Sequence, residues 1–189
     1  ATYVDQILKK GAKVTIVSSD KDLMQLYKKG VRIFDPMKNK FVNDEDVIKK
    51  FGVDASKVID VQSLAGDSSD NVPGVPGIGV KTAAELINKY GTLEKLLDSA
   101  HEIKQNKRRE TLIENKDKAL ISKKLVTLDH KSPVNKNLTE FKLKEVDKDN
   151  IAVITWNCLD KSMNKMTEGV LKSFQKLVME ALSNDKIKG

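Results

Sequence analysis

Hydrophobic residues near the start of the chain occur in short continuous runs separated by polar segments. Two of these runs, residues 14–17 and 31–34, predict buried strands. The segment before the first strand has a helical pattern that is expected to end at Gly11. A second helix is expected through Leu23, Met24 and Leu26. Strands that alternate with helices are typical of an α/β unit.

After residue 34 the pattern becomes helical, and no further strand is predicted. Asn43 followed three residues later by Asp46 is a capping pattern, and Gly52 is the expected end of that helix. The expected buried face consists of apolar residues at helical spacing: Val47, Ile48 and Phe51. Further helices are predicted over residues 56–65 and after Thr92.

A glycine turn, Gly77-Ile78-Gly79, leads into another predicted helix, whose apolar positions are Ala83, Leu86, Ile87 and Tyr90. The free N–H groups at the start of that helix would face an anion. Glycine allows close approach, Ile78 would anchor the turn in the core, and Lys81 adds positive charge. The pattern indicates a helix-hairpin-helix that binds a nucleic-acid backbone. An ordinary helix connection is the alternative, because the flanking prolines fit any loop.

Two pairs of acidic residues flank these elements. Asp20 and Asp22 follow the first strand, where ligands of a parallel sheet bind, and Asp67 and Asp70 precede the glycine turn. Three residues apart, Asp67 and Asp70 would share one face of a helical turn, and paired carboxylates suit a hard divalent cation. In the alternative interpretation, Asp20 caps the next helix, and the other acids are first-turn or loop residues. A metal beside a bound phosphodiester would indicate a nuclease.

The composition agrees with a nucleic-acid partner. The 189 residues carry a net charge of +7 and have a pI near 9.3, which is typical of proteins that bind polyanions. Cys158, the single cysteine, excludes an internal disulfide, and with His101 and His130 it is too isolated for a zinc site. The sequence has no apolar run of membrane-spanning length and no signal-peptide pattern, so we expect neither a membrane span nor secretion.

Residues 101–125 contain eight basic side chains against four acidic ones. They are Lys104, Lys107, Arg108, Arg109, Lys116, Lys118, Lys123 and Lys124. Contacts to a duplex backbone and an ordinary solvated helix face both explain them. Near the end of the chain, an amphipathic stripe predicts a helix that packs on the domain or on a neighbouring chain. The stripe consists of Val170, Phe174, Leu177, Ala181 and Leu182.

The segments 18–26 (SSDKDLMQL) and 66–83 (GDSSDNVPGVPGIGVKTA), continued by residues 90–94 (YGTLE), resemble the 5′-nuclease domain of bacterial DNA polymerase I. The wider family comprises flap endonucleases and phage 5′-exonucleases. The resemblance covers residues 1–134. It implies an α/β fold: residues 1–65 as the C-terminal portion of a PIN-like, Rossmann-type nuclease core and 66–134 as a helical helix-hairpin-helix subdomain. Residues 135–189, including Trp156, are expected to form a helical tail.

The same resemblance implies a metal-dependent, structure-specific 5′-nuclease that acts on duplex DNA with a 5′ flap or nick during replication and repair. Asp20, Asp22, Asp67 and Asp70 would hold two Mg²⁺ or Mn²⁺ ions. The implied DNA-binding residues lie in and after the hairpin: Gly74, Gly77, Ile78, Gly79, Lys81 and Thr82. The carbonyls of Gly74, Val75 and Ile78 would hold K⁺. We expect a polymerase domain in the same polypeptide and a bacterial cytoplasmic location.

Members of this family carry further metal-binding acids, and a helical arch that threads a 5′ end, upstream of the matching segment. Neither is found in these 189 residues. We therefore expect half of the metal site and little or no cleavage by this chain alone. Two other functional interpretations stay open: a non-catalytic module that binds duplex DNA, and a protein-interaction domain. Binding of Mg²⁺ or Mn²⁺ between the two acidic pairs would distinguish the nuclease from the module.

Overall fold

The computed structural model describes residues 1–135, 138 and 151–154 of the chain. Its sheet has four strands, β1 (Lys13–Val17), β2 (Val31–Asp35), β3 (Lys40–Phe41) and β4 (Ile151–Ile154). Their order is β3-β2-β1-β4, with β1 parallel to both β2 and β4, and β3 antiparallel to β2. The two predicted strands are confirmed as β1 and β2.

The strands β3 and β4 correct the expectation that no strand follows residue 34, and β4 places a strand in the segment 135–189, which was expected to be helical. A four-residue apolar run cannot be told from part of a buried helix by its pattern alone. The predictions for Trp156, Cys158 and the apolar stripe at residues 170–182 lie outside the described residues.

The helix predicted between β1 and β2 is present as a 3₁₀ helix. Residues Lys21–Leu26 form a 3₁₀ helix with Asp20 at its N-cap. Before β1, helix α1 (Thr2–Lys9) ends close to Gly11, as predicted. Leu23 and Met24 are half-buried against the core, and Leu26 is 3% exposed.

The helix α2 (Asp44–Phe51) begins with the predicted capping box between Asn43 and Asp46 and ends at Gly52. Its buried face is narrower than predicted. Val47 and Phe51 are buried, whereas Ile48 is 51% exposed. Val47 and Phe51 are four residues apart and share one face of the helix, and Ile48 is rotated about 100° away from that face.

The helical part is built around α3 (Val58–Ala65), which follows a 3₁₀ turn at Ala55–Lys57. Its apolar residues Val58, Val61 and Leu64 are fully buried. The helices α4 (Val80–Tyr90) and α7 (Lys116–Val126) pack against it. Burying one such side chain contributes about 1.5–3 kcal/mol, so the burial of these three side chains fixes the position of α3 and of the residues that follow it.

The remaining elements are α5 (Leu93–Asp98), capped by Thr92 as predicted, a 3₁₀ turn at Ala100–Glu102, and α6 (Asn106–Glu114). The sheet and the helices share one hydrophobic core. Among the described residues, no helix has the length and apolar character needed to cross a lipid bilayer.

Candidate functional site

Three carboxylates from two separate segments meet beyond the carboxyl end of β1. Asp22 lies in the 3₁₀ helix after β1, and Asp67 and Asp70 lie just after α3. Each offers an oxygen, and these oxygens lie within 4.8 Å of one another. This spacing is compatible with one shared divalent cation at about 2.0–2.6 Å from each ligand.

Asp67 and Asp70 do not share a helical face as predicted, because α3 ends at Ala65 and the chain turns. The Asp67 amide donates to the Val72 carbonyl at 3.0 Å, and the Val72 amide donates to the Asp67 carbonyl at 2.8 Å. Asn71 has a φ of +56° within this turn. The two hydrogen bonds close the turn and return Asp70 to the neighbourhood of Asp67.

Asp20 is not part of the carboxylate group. It is exposed, and its Oδ1 accepts a hydrogen bond from the Asp22 amide at 2.9 Å, as an N-cap does. Its own amide donates to the Ser18 Oγ at 3.1 Å. The alternative in which Asp20 caps the next helix is therefore the one observed.

Asp22 has a raised pKa, mainly because burial disfavours its charged form. The neighbouring charges of Asp20 and Asp70 raise the pKa further. The Gln62 amide, which donates to Asp22 Oδ1 at 2.5 Å, and the Lys21 ammonium act in the opposite direction. A divalent cation would remove this penalty by supplying positive charge.

The pKa of Asp67 is lowered, in contrast to that of Asp22. It is 8% exposed, and its Oδ2 forms an ion pair with the Lys21 ammonium, which lowers its pKa more than burial raises it. The Asp67 Oδ1 accepts a hydrogen bond from the Ser69 amide at 3.0 Å. Asp67 is therefore held ionised with a donor on each oxygen.

Two buried polar residues that the sequence analysis did not select support the same region. Gln62 is 4% exposed on α3 and reaches Asp22 across 40 residues of sequence. Asp35, 3% exposed at the end of β2, accepts hydrogen bonds from Ser19 Oγ at 2.7 Å and Lys38 Nζ at 2.9 Å. A polar residue inside an apolar run was the available signal for Gln62, and an acid at the end of an apolar strand was the signal for Asp35.

Gln25 ties the 3₁₀ helix that carries Asp22 to the end of α7. Its Nε2 donates to the Asp22 carbonyl at 2.9 Å and to the Val126 carbonyl at 3.0 Å, and its Oε1 accepts from the Leu128 amide at 3.0 Å. The Asp22 backbone is thereby anchored to the helical part of the molecule.

The glycine turn leads into α4 as predicted. Ile78 is buried with 5% exposure and anchors the turn in the core. Gly79 is the N-cap and supplies no side-chain cap, and the first helical bond runs from the Ala83 amide to the Gly79 carbonyl. The amides before it, including those of the exposed Lys81 and the half-buried Thr82, precede the first intrahelical bond and point out of the helix end.

Glycines 77 and 79 are open to the surroundings. A Cβ built at Gly77 or Gly79 would meet no atom within 4 Å. Gly74 differs, because it is buried and its amide donates to Ser122 Oγ at 2.9 Å. That amide is not free for a phosphate. The Val75 carbonyl accepts from the Ile78 amide at 3.1 Å.

Three of the eight basic residues in segment 101–125 have partners within the protein. Lys123 bridges Asp60 and Glu94 at 2.7 Å each. Arg109 donates to the Ile103 carbonyl at 3.1 Å, and Lys116 lies 3.5 Å from Asp98. The other basic side chains point to solvent or are half-exposed: Lys104, Lys107, Arg108, Lys118 and Lys124.

Comparisons with known proteins identify the family and the fold of this chain. A family model described as 5′-3′ exonuclease, C-terminal SAM fold, matches residues 53–149. DNA polymerase I of Rhizobium leguminosarum is 54% identical over 138 residues, which are 73% of this chain and 14% of that protein. A 5′-3′ exonuclease of Buchnera aphidicola subsp. Acyrthosiphon pisum is 36% identical over 146 residues, 74% of this chain and 51% of that protein.

A solved structure of the phage T5 flap endonuclease, in a complex with DNA and metal ions, matches with a TM-score of 0.60. It is 22% identical and covers 66% of this chain and 47% of that one. This match shows the fold, and with the family model it confirms the predicted fold class. The chain spans about half, or less, of each of these three proteins.

Proposed function

Because this chain belongs to the family of 5′-3′ exonucleases with a C-terminal SAM fold, we propose that it is the DNA-holding part, with half of the metal site, of a structure-specific 5′-nuclease. Residues 1–65 would complete the nuclease core, and residues 66–134 would hold the duplex near a 5′ flap or nick. The observation that carries this proposal is the group formed by Asp22, Asp67 and Asp70, whose oxygens lie within 4.8 Å of one another beside the glycine turn.

The donor set fits a hard divalent cation. Carboxylate oxygens are the ligands that Mg²⁺ and Mn²⁺ prefer, and three of them within 4.8 Å of one another would converge on one ion after small side-chain rotations. In phosphodiester hydrolysis such ions activate the attacking water and stabilise the leaving oxygen. Asp22, Asp67 and Asp70 would bind the ions directly, and Asp20 would act through its charge and its cap.

The chain's own residues would perform the holding and positioning. Gln62 and Gln25 orient the Asp22 side chain and backbone, while Lys21 and Ser69 orient Asp67. This rigidity matters because correct placement of reacting groups supplies several kcal/mol, about 7 or more in favourable cases, of the catalytic effect.

The glycine turn would bind the duplex backbone away from the cleaved bond. The first-turn amides of α4 and the Lys81 ammonium would contact a phosphate, with Gly77 and Gly79 allowing the strand to approach. A K⁺ held by the carbonyls of Gly74, Val75 and Ile78 would contact the same phosphate. The Val75 carbonyl keeps a second lone pair for this after accepting the Ile78 amide.

The wider setting is part of the same proposal. The similarity to DNA polymerase I supports a polymerase domain in the same polypeptide, with a role in replication and repair at bacterial cytoplasmic DNA. Since the matched relatives extend well beyond this segment, the 189 residues alone are expected to bind duplex DNA but to cleave it poorly or not at all.

The test is a binding and cleavage assay on a 5′-flap duplex with Mg²⁺ or Mn²⁺, which compares this chain with the same chain extended at its N-terminus. We expect both to bind DNA with an affinity that falls steeply with salt. Only the extended protein should cleave at a useful rate, and the Asp67→Asn variant of it should be inactive.

The matched control is Asp98→Asn, because Asp98 is an exposed, ion-paired aspartate far in sequence from the site. It should leave cleavage unchanged. Cleavage by the extended protein that survives Asp67→Asn would refute the role of this group. DNA binding without any binding of Mn²⁺ would favour the non-catalytic module.

A further inference from the structure

Lys21 directly precedes Asp22 in the sequence, and its ammonium lies beside the carboxylate group. Its ammonium pairs with Asp67 Oδ2, and Asp22 and Asp70 are close enough to stabilise it electrostatically. The Lys21 side chain is 34% exposed, whereas that of Asp67 is 6% exposed. The Lys21 ammonium therefore already pairs with a carboxylate oxygen that would bind a metal ion.

The two oxygens of Asp67 are both in use. Oδ1 accepts the Ser69 amide at 3.0 Å, and Oδ2 pairs with the Lys21 ammonium. A divalent cation that binds Oδ2 would come within a few ångströms of the ammonium. At that separation the divalent ion and the ammonium repel each other, and the repulsion is several times stronger in a partly buried site than in water.

We propose that Lys21 is the resident counter-ion of this metal site: its ammonium occupies Asp67 Oδ2 when no divalent ion is bound and leaves that oxygen when one binds. The inference rests on the metal site of the proposed function. It follows that Lys21 keeps three neighbouring carboxylates together in the metal-free protein. It also follows that Lys21 weakens divalent-ion binding.

The exchange is geometrically simple. The Lys21 side chain has four methylene groups and is one-third exposed, so its ammonium can turn into solvent without moving the 3₁₀ helix. Asp22, one residue further on, is held separately by Gln62 and Gln25. The carboxylates can therefore stay in position while their cation changes.

The first measurement is the affinity for Mn²⁺, followed by electron paramagnetic resonance of the free ion, on the full 189-residue chain at one ionic strength. Lys21→Met and Lys21→Gln should each bind Mn²⁺ about tenfold more tightly than the unsubstituted chain, because no ammonium has to be displaced. Lys21→Arg keeps the charge and should not tighten binding.

The matched control is Lys28→Met. Lys28 is also paired with an aspartate, Asp5, at 3.4 Å, and its side chain is 48% exposed. The substitution removes the same charge from the chain but not from the carboxylate group. It should leave Mn²⁺ affinity unchanged within about twofold.

The second measurement is thermal unfolding in EDTA. Lys21→Met should lower the midpoint, because the buried Asp67 carboxylate loses its cation. In an Asp67→Asn background, the same substitution should have a much smaller effect. Adding Mn²⁺ should raise the midpoint of Lys21→Met more than that of the unsubstituted chain.

The outcomes separate the inference from the function on which it rests. If Mn²⁺ binds the unsubstituted chain and is lost in Asp67→Asn, but Lys21→Met and Lys21→Gln bind no more tightly, the inference is overturned and the metal site stands. If no variant binds Mn²⁺, both are overturned. If Lys21→Met does not fold, Lys21→Gln decides, since glutamine can still donate to Asp67 Oδ2.

Discussion

The turn that contains Gly66 and Gly74 is closed by contacts within the protein, whereas the turn that contains Gly77 and Gly79 is open. A Cβ at Gly74 would lie 2.5 Å from the Gly66 amide nitrogen, and the Gly74 amide is bound to Ser122. A Cβ at Gly77 or Gly79 would meet nothing within 4 Å. Both turns lie within one short glycine-rich segment of the sequence.

The difference separates two uses of glycine. In the closed turn, glycine lets two backbone segments touch, and this contact helps to place Asp67 beside Asp22. In the open turn, no part of the described protein needs the space that a side chain would fill. The open space at the start of α4 is therefore available to a ligand, and this is why we propose that the DNA backbone binds there.

The largest expected effect is that of Gly74→Ala. The new methyl group would overlap the backbone of Gly66, and the residue has a φ of +60°. Overpacking and the left-handed backbone together should cost about 3 kcal/mol of unfolding free energy. Urea denaturation measures this change. A loss below about 1 kcal/mol would mean that the closed turn can relax.

The next effect concerns Ser122, which is fully buried and links α7 to the closed turn. Ser122→Ala leaves the Gly74 amide buried without its acceptor, so we expect a loss of about 1–3 kcal/mol. The same denaturation experiment measures it, with Ser68→Ala in the exposed part of the turn as the control. Equal stabilities for the two variants would contradict the role of Ser122.

In the open turn we expect the main effect on binding instead. Gly79→Asp and Gly79→Ser both supply a good N-cap for α4, and Gly79 has a φ of −87° that any residue adopts. Gly79→Asp should weaken duplex binding by about tenfold, because its carboxylate takes the place of the phosphate, while both variants stay folded. Fluorescence anisotropy measures the affinity.

Gly79→Ser is the matched control for this charge effect, since it adds a cap of similar size without a negative charge. It should bind DNA more tightly than Gly79→Asp. If Gly79→Asp bound DNA as well as the unsubstituted chain does, the amides at the start of α4 would not be the phosphate site.

The smallest effect is expected for Gly77→Ala. Its φ of +74° strains an alanine, but the new methyl group meets no atom. The loss in unfolding free energy should be about 1 kcal/mol, well below that of Gly74→Ala. Thermal unfolding of the two variants side by side tests the comparison. A larger loss for Gly77→Ala would reverse it.

Local features of the fold were predictable from the sequence. The apolar runs of β1 and β2, the capping box of Asn43 and Asp46, and the end of α2 at Gly52 were all recognised correctly. Each depends on neighbours within a few residues, through side-chain period, capping geometry or a positive φ. The approach of Asp22 to Asp67 was also predicted, because carboxylates that share one metal ion must lie close together.

Only the tertiary structure decided which side chains serve this site and how. Asp20 caps a helix, whereas the Asp22 side chain turns towards the other carboxylates. Asp70 reaches the site through a turn rather than along a helix. Outside the site, Ile48 is exposed to solvent although the adjacent Val47 is buried. The ion pair of Lys21 with Asp67 joins residues 46 positions apart, and the Gln62 contact to Asp22 joins residues 40 positions apart. Such contacts depend on how α3 packs against the sheet, and that packing is a property of the whole core rather than of any local pattern.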